Sequence, residues 1–175
     1  GPETLLQALR LQRARVIEYY RSSIEALAQE YSQSFKYCSI TDALRQSIAY
    51  DAGCMPDYDR ELGPQTAQEP YRHKLSFMWK RLGAALSSYD GQSHEKGPCV
   101  SYSHTNELLA DLELVRESLS ADGEQDVTQG RLATLIRQVQ VFGFHFAALD
   151  VRQHSERHAS ALAELLRVTG LLQGD

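Results

Sequence analysis

Apolar residues recur every three or four positions along most of this chain, and that period restricts the folds open to it. The clearest stripe consists of Tyr71, Leu75, Met78, Leu82, Leu86 and Tyr89. Pro70 precedes the stripe at a first helical position, where its missing backbone N–H is tolerated, and Gly91 follows the end of the stripe. Because a helix turns once in about 3.6 residues, the stripe predicts an amphipathic helix with one face in a core.

The same period predicts five other helices, joined by polar segments. The first runs from about Glu3 to Ser34, and a short second helix has Thr41 or Ser39 as its cap. The remaining three carry their apolar positions within 108–119, 132–139 and 162–166. Segments rich in Gly, Pro and polar residues predict loops near 52–68, 91–104 and 121–128.

One segment departs from the helical period and predicts a strand over 142–152. Its apolar side chains alternate at Phe142, Phe144, Phe146 and Ala148. Asp150 and Arg152 follow at the carboxyl end of the strand, one pleat apart on the same face, where sheets usually carry their chemistry. The expected fold class is therefore mainly α, a single domain over 1–175 with about six helices and one strand. A lone strand leaves backbone groups unpaired, and no other segment of this chain convincingly offers a partner strand.

Composition excludes several classes of function. The chain has 18 basic and 23 acidic side chains, and its net charge of -5 argues against a surface for nucleic acid or anionic membrane. No apolar run approaches the roughly 20 residues that span a bilayer, and Gly1-Pro2 does not begin a signal peptide.

Cysteine and histidine spacing predicts no metal site in this chain. Cys38, Cys54 and Cys99 are odd in number, far apart and without Cys-x-x-Cys spacing, so we expect ordinary thiols in a reducing, cytoplasmic setting. His154 and His158 stand four apart on a predicted helix, which would suit a metal pair. No glutamate stands between them in a His-Glu-x-x-His arrangement, and no third ligand is identifiable, so a packed or solvated pair is the favoured interpretation.

The segment around the predicted strand resembles phosphoenolpyruvate carboxylase. That family has a Phe-Gly pair, an apolar strand, the motif Leu-Asp-Ile-Arg-Gln, then Ser, Arg-His and a helix rich in Ala and Leu. The matching residues here are Phe142-Gly143, Leu149-Asp150-Val151-Arg152-Gln153, Ser155 and Arg157-His158. Glu69-Pro70-Tyr71-Arg72 opens a helix as in the family, and order and spacing agree across nearly the whole chain. His154 is a departure, because the family usually has Glu there.

The resemblance implies that this chain is a fragment of an enzyme that joins bicarbonate to phosphoenolpyruvate, giving oxaloacetate and phosphate. It implies a parent enzyme with an α/β barrel, a Mg2+ or Mn2+ cofactor and a homo-oligomeric state. By resemblance, Arg152 would hold the phosphate, with Asp150 orienting it and Gln153 in the same network. The family's essential histidine, its metal-binding carboxylates and its catalytic lysine have no counterpart here, so the isolated piece is expected to be inactive.

Two alternatives stay open at the level of sequence. By spacing alone, Asp150 and Arg152 would more often form a structural ion pair than a ligand site. The chain could also be a freestanding helical protein-interaction module without catalysis, with the strand motif kept only for structure.

Overall fold

The computed structural model describes residues 2–34, 39–87, 99–121 and 130–145. Six α-helices lie within these ranges: α1 Pro2–Ser34, α2 Asp42–Cys54, α3 Pro56–Ala67, α4 Pro70–Ser87, α5 Thr105–Ala121 and α6 Arg131–Phe142. The mainly helical fold class is confirmed, and the described ranges contain no strand. None of their helices has the length and apolar character that crossing a membrane would require. That 1–175 forms a single domain stays a prediction.

Helices α1 and α4 pack against each other in antiparallel directions and form the centre of the fold. Tyr31, near the end of α1, packs edge-on against Tyr71 at the start of α4, with ring centroids 6.1 Å apart. Arg21, earlier in α1, lies over the ring of Trp79, later in α4, at 3.9 Å from the centroid. The predicted stripe of α4 is buried from Tyr71 to Leu82. The helical period therefore identified the face of α4 that enters the core.

Helix α6 lies beside α1, also antiparallel. Arg131, at the start of α6, is 3.6 Å from the carboxylate of Glu30, while the backbone just after α6 accepts a hydrogen bond from Tyr20. The buried side chains of α6 are Leu132, Leu135, Ile136 and Val139, which is the face that the sequence pattern predicted. The core thus forms where α1, α4, α5 and α6 bring their apolar faces together.

The predicted strand does not begin at Phe142. Phe142 is the last residue of α6, and Gly143, with a φ of 55°, ends the helix and donates its N–H to the carbonyl of Val139. The positive φ favours glycine, which is why the helix stops here. Phe142 is 40% exposed and Phe144 only 2%, so two side chains that alternation placed on one face have opposite environments. Residues 146–152 of the predicted strand, and the predicted helix near 162–166, lie outside the described residues.

The segment 52–68, predicted to be a loop, is mostly helical. Helix α2 continues to Cys54, and Pro56–Ala67 forms α3. Pro56 is in the first turn of α3, where proline is tolerated. Pro64 follows Gly63, whose φ of 72° interrupts the helix, so Pro64 again stands at the start of a helical turn. The prolines thus begin stretches of helix here, and the pattern was wrong to treat them as loop markers.

Two other predicted boundaries agree closely with the structure, whereas Tyr89 and Gly91, at the predicted end of α4, lie outside the described residues. Thr41, rather than Ser39, caps α2: its side chain accepts a hydrogen bond of 3.3 Å from the backbone N–H of Leu44. Helix α5 ends at Ala121, next to the predicted loop. Residues 88–98 and 122–129, which hold most of the other two predicted loops, lie outside the described residues.

Candidate functional site

The residues that the sequence singled out for chemistry follow directly after the described part of the chain. Asp150, Arg152 and Gln153 lie outside the described residues, as do His154 and His158. Their roles therefore stay predictions. The structure does describe the segment that leads toward them, up to His145.

The segment that leads toward Arg152 is held firmly at the end of α6. The hydroxyl of Tyr20 donates to the carbonyl of Gly143 at 2.7 Å. The guanidinium of Arg13 lies 5.2 Å from the centroid of the buried Phe144 ring. A Cβ added at Gly143 would lie 3.3 Å from Oγ1 of Thr105, so α5 also approaches this turn closely. Three helices, α1, α5 and α6, thus meet at this turn.

Burial of the Tyr20 hydroxyl makes the stability of the fold depend on alkaline pH. Burial raises the pKa of Tyr20 to about 12, and the neighbouring Tyr19 adds to the increase. In the unfolded chain a tyrosine loses its proton near pH 10. The folded state therefore holds more protons than the unfolded state between about pH 10 and 12, and stability falls as pH rises through that window.

We expect the Tyr20→Phe variant to lose this dependence. The wild-type chain should lose up to about 1.4 kcal/mol of unfolding free energy for each pH unit above pH 10 through this residue alone. The difference in unfolding free energy by which the wild type exceeds Tyr20→Phe should therefore decrease as the pH rises. Urea unfolding of both proteins from about pH 9 to 11 measures it, and a difference that does not change with pH would contradict the assignment.

A groove between α1 and α6 lies next to this turn. It has a volume of about 720 Å³, and its walls include Leu11, Val16, Tyr19 and Phe142. Of the described residues that line it, Arg15 alone is charged. General acid–base catalysis needs a titratable group that can exchange a proton with a substrate, whereas the hydroxyls of Tyr19 and Tyr20 in this groove donate to Gln138 and Gly143. We therefore assign no reaction to it.

A cluster of charged side chains is buried between α2, α4 and α5. Lys74 of α4 is completely buried. Its Nζ lies 2.7 Å from Asp51 Oδ2, 2.7 Å from Asp111 Oδ1 and 2.8 Å from Ser47 Oγ. An ammonium group has three N–H donors, so these three acceptors use all of them.

Arg81, two turns further along α4, completes the cluster. Its guanidinium lies 2.7 Å from Asp111 Oδ2 and 3.9 Å from Asp51 Oδ1. It stacks over the ring of Tyr102 at 4.0 Å from the centroid, and the hydroxyl of Tyr102 donates to Asp111 Oδ2 at 2.6 Å. Two cations and two anions therefore balance in one buried network, which we call the ionic cluster: Lys74, Arg81, Asp51 and Asp111, with Tyr102.

The ionic cluster is arranged for structure rather than for reaction. Burial raises the pKa of Asp51, and the nearby Lys74 and Arg81 oppose that rise. Burial and the charge of Asp111 raise the pKa of Tyr102 well above its ordinary value, so the phenol keeps the proton that it donates to Asp111. The polar contacts among the cluster residues tie three helices together.

Two basic residues on the predicted buried face of α4 indicate the ionic cluster from the sequence. Lys74 and Arg81 stand at three or four positions from Tyr71 and Met78, on the face of α4 predicted to be buried. Because a buried charge is very unfavourable unless it is paired, two cations on that face require carboxylates from other helices. The pattern could not say which carboxylates.

Comparison with known proteins decides the family. A family model described as phosphoenolpyruvate carboxylase matches residues 1–174. The chain belongs to the phosphoenolpyruvate carboxylase family. It is 37% identical over 171 residues to the phosphoenolpyruvate carboxylase of Roseiflexus castenholzii, covering 95% of this chain and 18% of that protein. It is 35% identical over 172 residues to that of Ralstonia nicotianae, covering 97% and 17%.

A third phosphoenolpyruvate carboxylase, from Thermosynechococcus vestitus, is 36% identical over 180 residues, covering 98% of this chain and 18% of that protein. The chain thus spans less than a fifth of the length of the curated relatives it matches. The resemblance inferred from the motifs at 142–153 and at Glu69-Pro70-Tyr71-Arg72 is confirmed.

Proposed function

We propose that this chain is a segment of a lyase that carboxylates phosphoenolpyruvate with bicarbonate. The family match over residues 1–174 carries the proposal. In this reaction a bicarbonate oxygen attacks the phosphoryl group, which leaves the enolate of pyruvate and forms carboxyphosphate. Transfer of the carboxyl group to the enolate carbon then gives oxaloacetate and releases phosphate.

Within this segment, we assign substrate contact to Arg152 and support to Asp150 and Gln153. A guanidinium offers two parallel N–H donors to a phosphate and keeps its charge at any physiological pH. Asp150 would hold the guanidinium in position through its carboxylate. The match of Leu149-Asp150-Val151-Arg152-Gln153 to the family motif supports this role.

The described residues do not suit the metal that the family implies. They contain no group of three or more His, Cys, Asp or Glu side chains that could hold an ion. Asp51 and Asp111, the buried carboxylates of the ionic cluster, are bound by Lys74, Arg81 and Tyr102. We propose that Mg2+ or Mn2+ is bound by residues of the parent enzyme that lie elsewhere.

The isolated segment should not catalyse the reaction. The one charge-assisted contact that Arg152 makes contributes about 1.5–3 kcal/mol, whereas even millimolar affinity requires about 4 kcal/mol. Arg152 alone therefore cannot hold the substrate tightly.

We propose that the intact enzyme is a cytoplasmic homo-oligomer, with phosphoenolpyruvate and bicarbonate as its small-molecule partners. The alternative of a freestanding interaction module has less support, since the similarity extends over nearly the whole chain.

The test of this function is the Arg152→Gln variant of the full-length enzyme that carries this segment. Losing the charge-assisted contact should lower kcat/KM for phosphoenolpyruvate by about 10- to 150-fold. Arg152→Lys should give an intermediate value, because lysine keeps the charge but lacks the planar fork. Oxaloacetate formation is measured by coupling it to NADH oxidation with malate dehydrogenase.

Arg157→Gln is the matched control for this experiment. Arg157 lies on the predicted helix after the motif and could reach the same site, but an ion pair on the helix surface with Glu156 or Glu164 is the favoured interpretation. Such a pair contributes little, so kcat/KM should change less than about threefold. A folded Arg152→Gln enzyme with unchanged kcat/KM would remove Arg152 from the proposed site.

A further inference from the structure

Helix α3 has little buried surface. Of its 12 residues only Thr66 is buried, whereas nine residues of α4 are buried. No residue of α3 belongs to the core that α1, α4, α5 and α6 form. Elements with few buried apolar contacts separate from a folded protein at low free energy. Helix α3 is therefore attached to the rest of the structure by a small number of specific contacts.

Aromatic contacts hold α3 on a face of α4 that lies outside the predicted stripe. Phe77 of α4 is completely buried but does not belong to the core. The ring of Tyr58, from α3, meets the Phe77 ring edge-on, with centroids 6.0 Å apart. The hydroxyl of Tyr58 donates to the carbonyl of Ser76 at 3.4 Å, and the ammonium of Lys80 lies over the Tyr58 ring. Helix α3 thus covers Phe77.

A hydrogen bond between side chains adds a directional link between α3 and α4. Nε2 of His73 lies 2.6 Å from Oδ1 of Asp59. The His73 side chain is 11% exposed and the Asp59 side chain 37%, so water reaches this contact only in part. The imidazole of His73 also packs against the ring of Phe77, with centroids 4.8 Å apart. The same histidine therefore contacts both α3 and the residue that α3 covers.

The connections at both ends of α3 allow this helix to move while α2 and α4 stay folded. Met55, with φ of -129° and ψ of 60°, separates α2 from α3. Gln68 and Glu69 separate α3 from Pro70, where α4 begins. Hinge motions in proteins are absorbed by a few residues at the ends of elements, as these are.

We propose that α3 opens from α4 as a unit in the native protein, and that the hydrogen bond between His73 and Asp59 is its latch. Opening uncovers Phe77, whereas the core and the ionic cluster stay packed, because neither contains a residue of α3. A ligand that binds only the open form shifts the equilibrium toward it, so the latch sets how readily this face of α4 is available. The proposal does not depend on the carboxylase function.

Hydrogen exchange of the 175-residue chain, followed by NMR at several low urea concentrations, tests the opening. The hydrogen-bonded backbone N–H groups of α3 should exchange through one common opening equilibrium. Its constant should be at least about 10-fold larger than that for 75–86 in α4, and it should respond weakly to urea because little surface is uncovered. Exchange of α3 only through the same opening as α4, or a gradient of rates from the ends of α3, would overturn the proposal.

Two substitutions test the latch by the same exchange measurement. Asp59→Ala and His73→Gln should each raise the opening constant of α3 by about 3- to 10-fold, the effect of losing one hydrogen bond. The double variant should match the larger single effect, because both substitutions remove the same contact.

Asp57→Ala is the matched control. Asp57 pairs with Arg60 within α3, and both side chains are exposed, so the opening constant should change by less than about twofold. An Asp59→Ala effect no larger than that of Asp57→Ala would show that His73 and Asp59 do not form the latch. The exchange pattern of the wild-type chain does not require any variant to fold.

Discussion

Replacing Lys74 by methionine should lower the free energy of unfolding by about 3–5 kcal/mol. Lys74 is completely buried, and its three donors are used by Asp51, Asp111 and Ser47. Methionine has a similar length but no charge, so the variant would leave Asp51 with only Arg81 nearby, at 3.9 Å. An unpaired buried carboxylate is much more costly than the loss of an exposed ion pair. Urea unfolding followed by circular dichroism measures the change.

Lys80→Met is the matched control, because Lys80 belongs to the same helix but is only partly buried. Its ammonium lies 4.9 Å from the centroid of the Tyr58 ring, and losing that contact should cost about 0.5–1 kcal/mol. If Lys74→Met were no more destabilising than Lys80→Met, the ionic cluster would not be assembled in solution.

A double variant distinguishes two contributions to the loss of unfolding free energy: the unpaired carboxylate of Asp51 and the changed packing at position 74. Adding Asp51→Leu to Lys74→Met removes the stranded carboxylate and leaves Asp111 paired with Arg81. We expect the double variant to be more stable than Lys74→Met by at least about 1 kcal/mol, since a neutral apolar pair can replace a buried ion pair. A double variant less stable than the single one would show that Asp51 has another essential role.

Phe144→Ala should lower the free energy of unfolding by about 3–5 kcal/mol, whereas Phe142→Ala should lower it by less than about 1 kcal/mol. Phe144 is 2% exposed and packs beneath the guanidinium of Arg13, while Phe142 is 40% exposed at the end of α6. The large difference follows from the cavity that removal of a buried ring leaves behind. The same urea experiment measures both variants.

This pair of variants distinguishes the helix and turn from a strand. A strand that alternates from Phe142 would place both rings on one face and predict similar losses for the two substitutions. Equal destabilisation would therefore contradict the turn at Gly143. Tyr20 and Thr105 also contact this turn. A large loss of stability in Phe144→Ala would therefore also show that the turn is firmly held.

The helical period predicted the helices whose buried face follows from the spacing of their own apolar residues. The stripe of α4 and the extent of α1 follow from spacing alone, and both agree with the structure. The pattern failed at α3 and at Phe142. At α3, Pro56 and Pro64 are compatible with helix because each stands at the start of a turn, a position that composition does not reveal. At Phe142, a short alternation of aromatic residues coincided with the last turn of a helix.

The carboxylates that pair with Lys74 and Arg81 could not be identified from the sequence. The partners of Lys74 come from α2 and α5, which meet α4 only when the helices pack. Spacing along a sequence describes neighbours within one helix, whereas these contacts join residues that are remote in sequence. Their identity depends on how the helices are arranged around the core.

By itself, the sequence determined the helical class, the buried face of each long helix and the carboxylase family, because periodicity and motif order are properties of the chain. The tertiary structure alone decided which charges pair and which helices hold the turn at the end of α6. The physical reason is that a buried charge needs a specific partner at a few ångströms, and only the packing of distant helices supplies it.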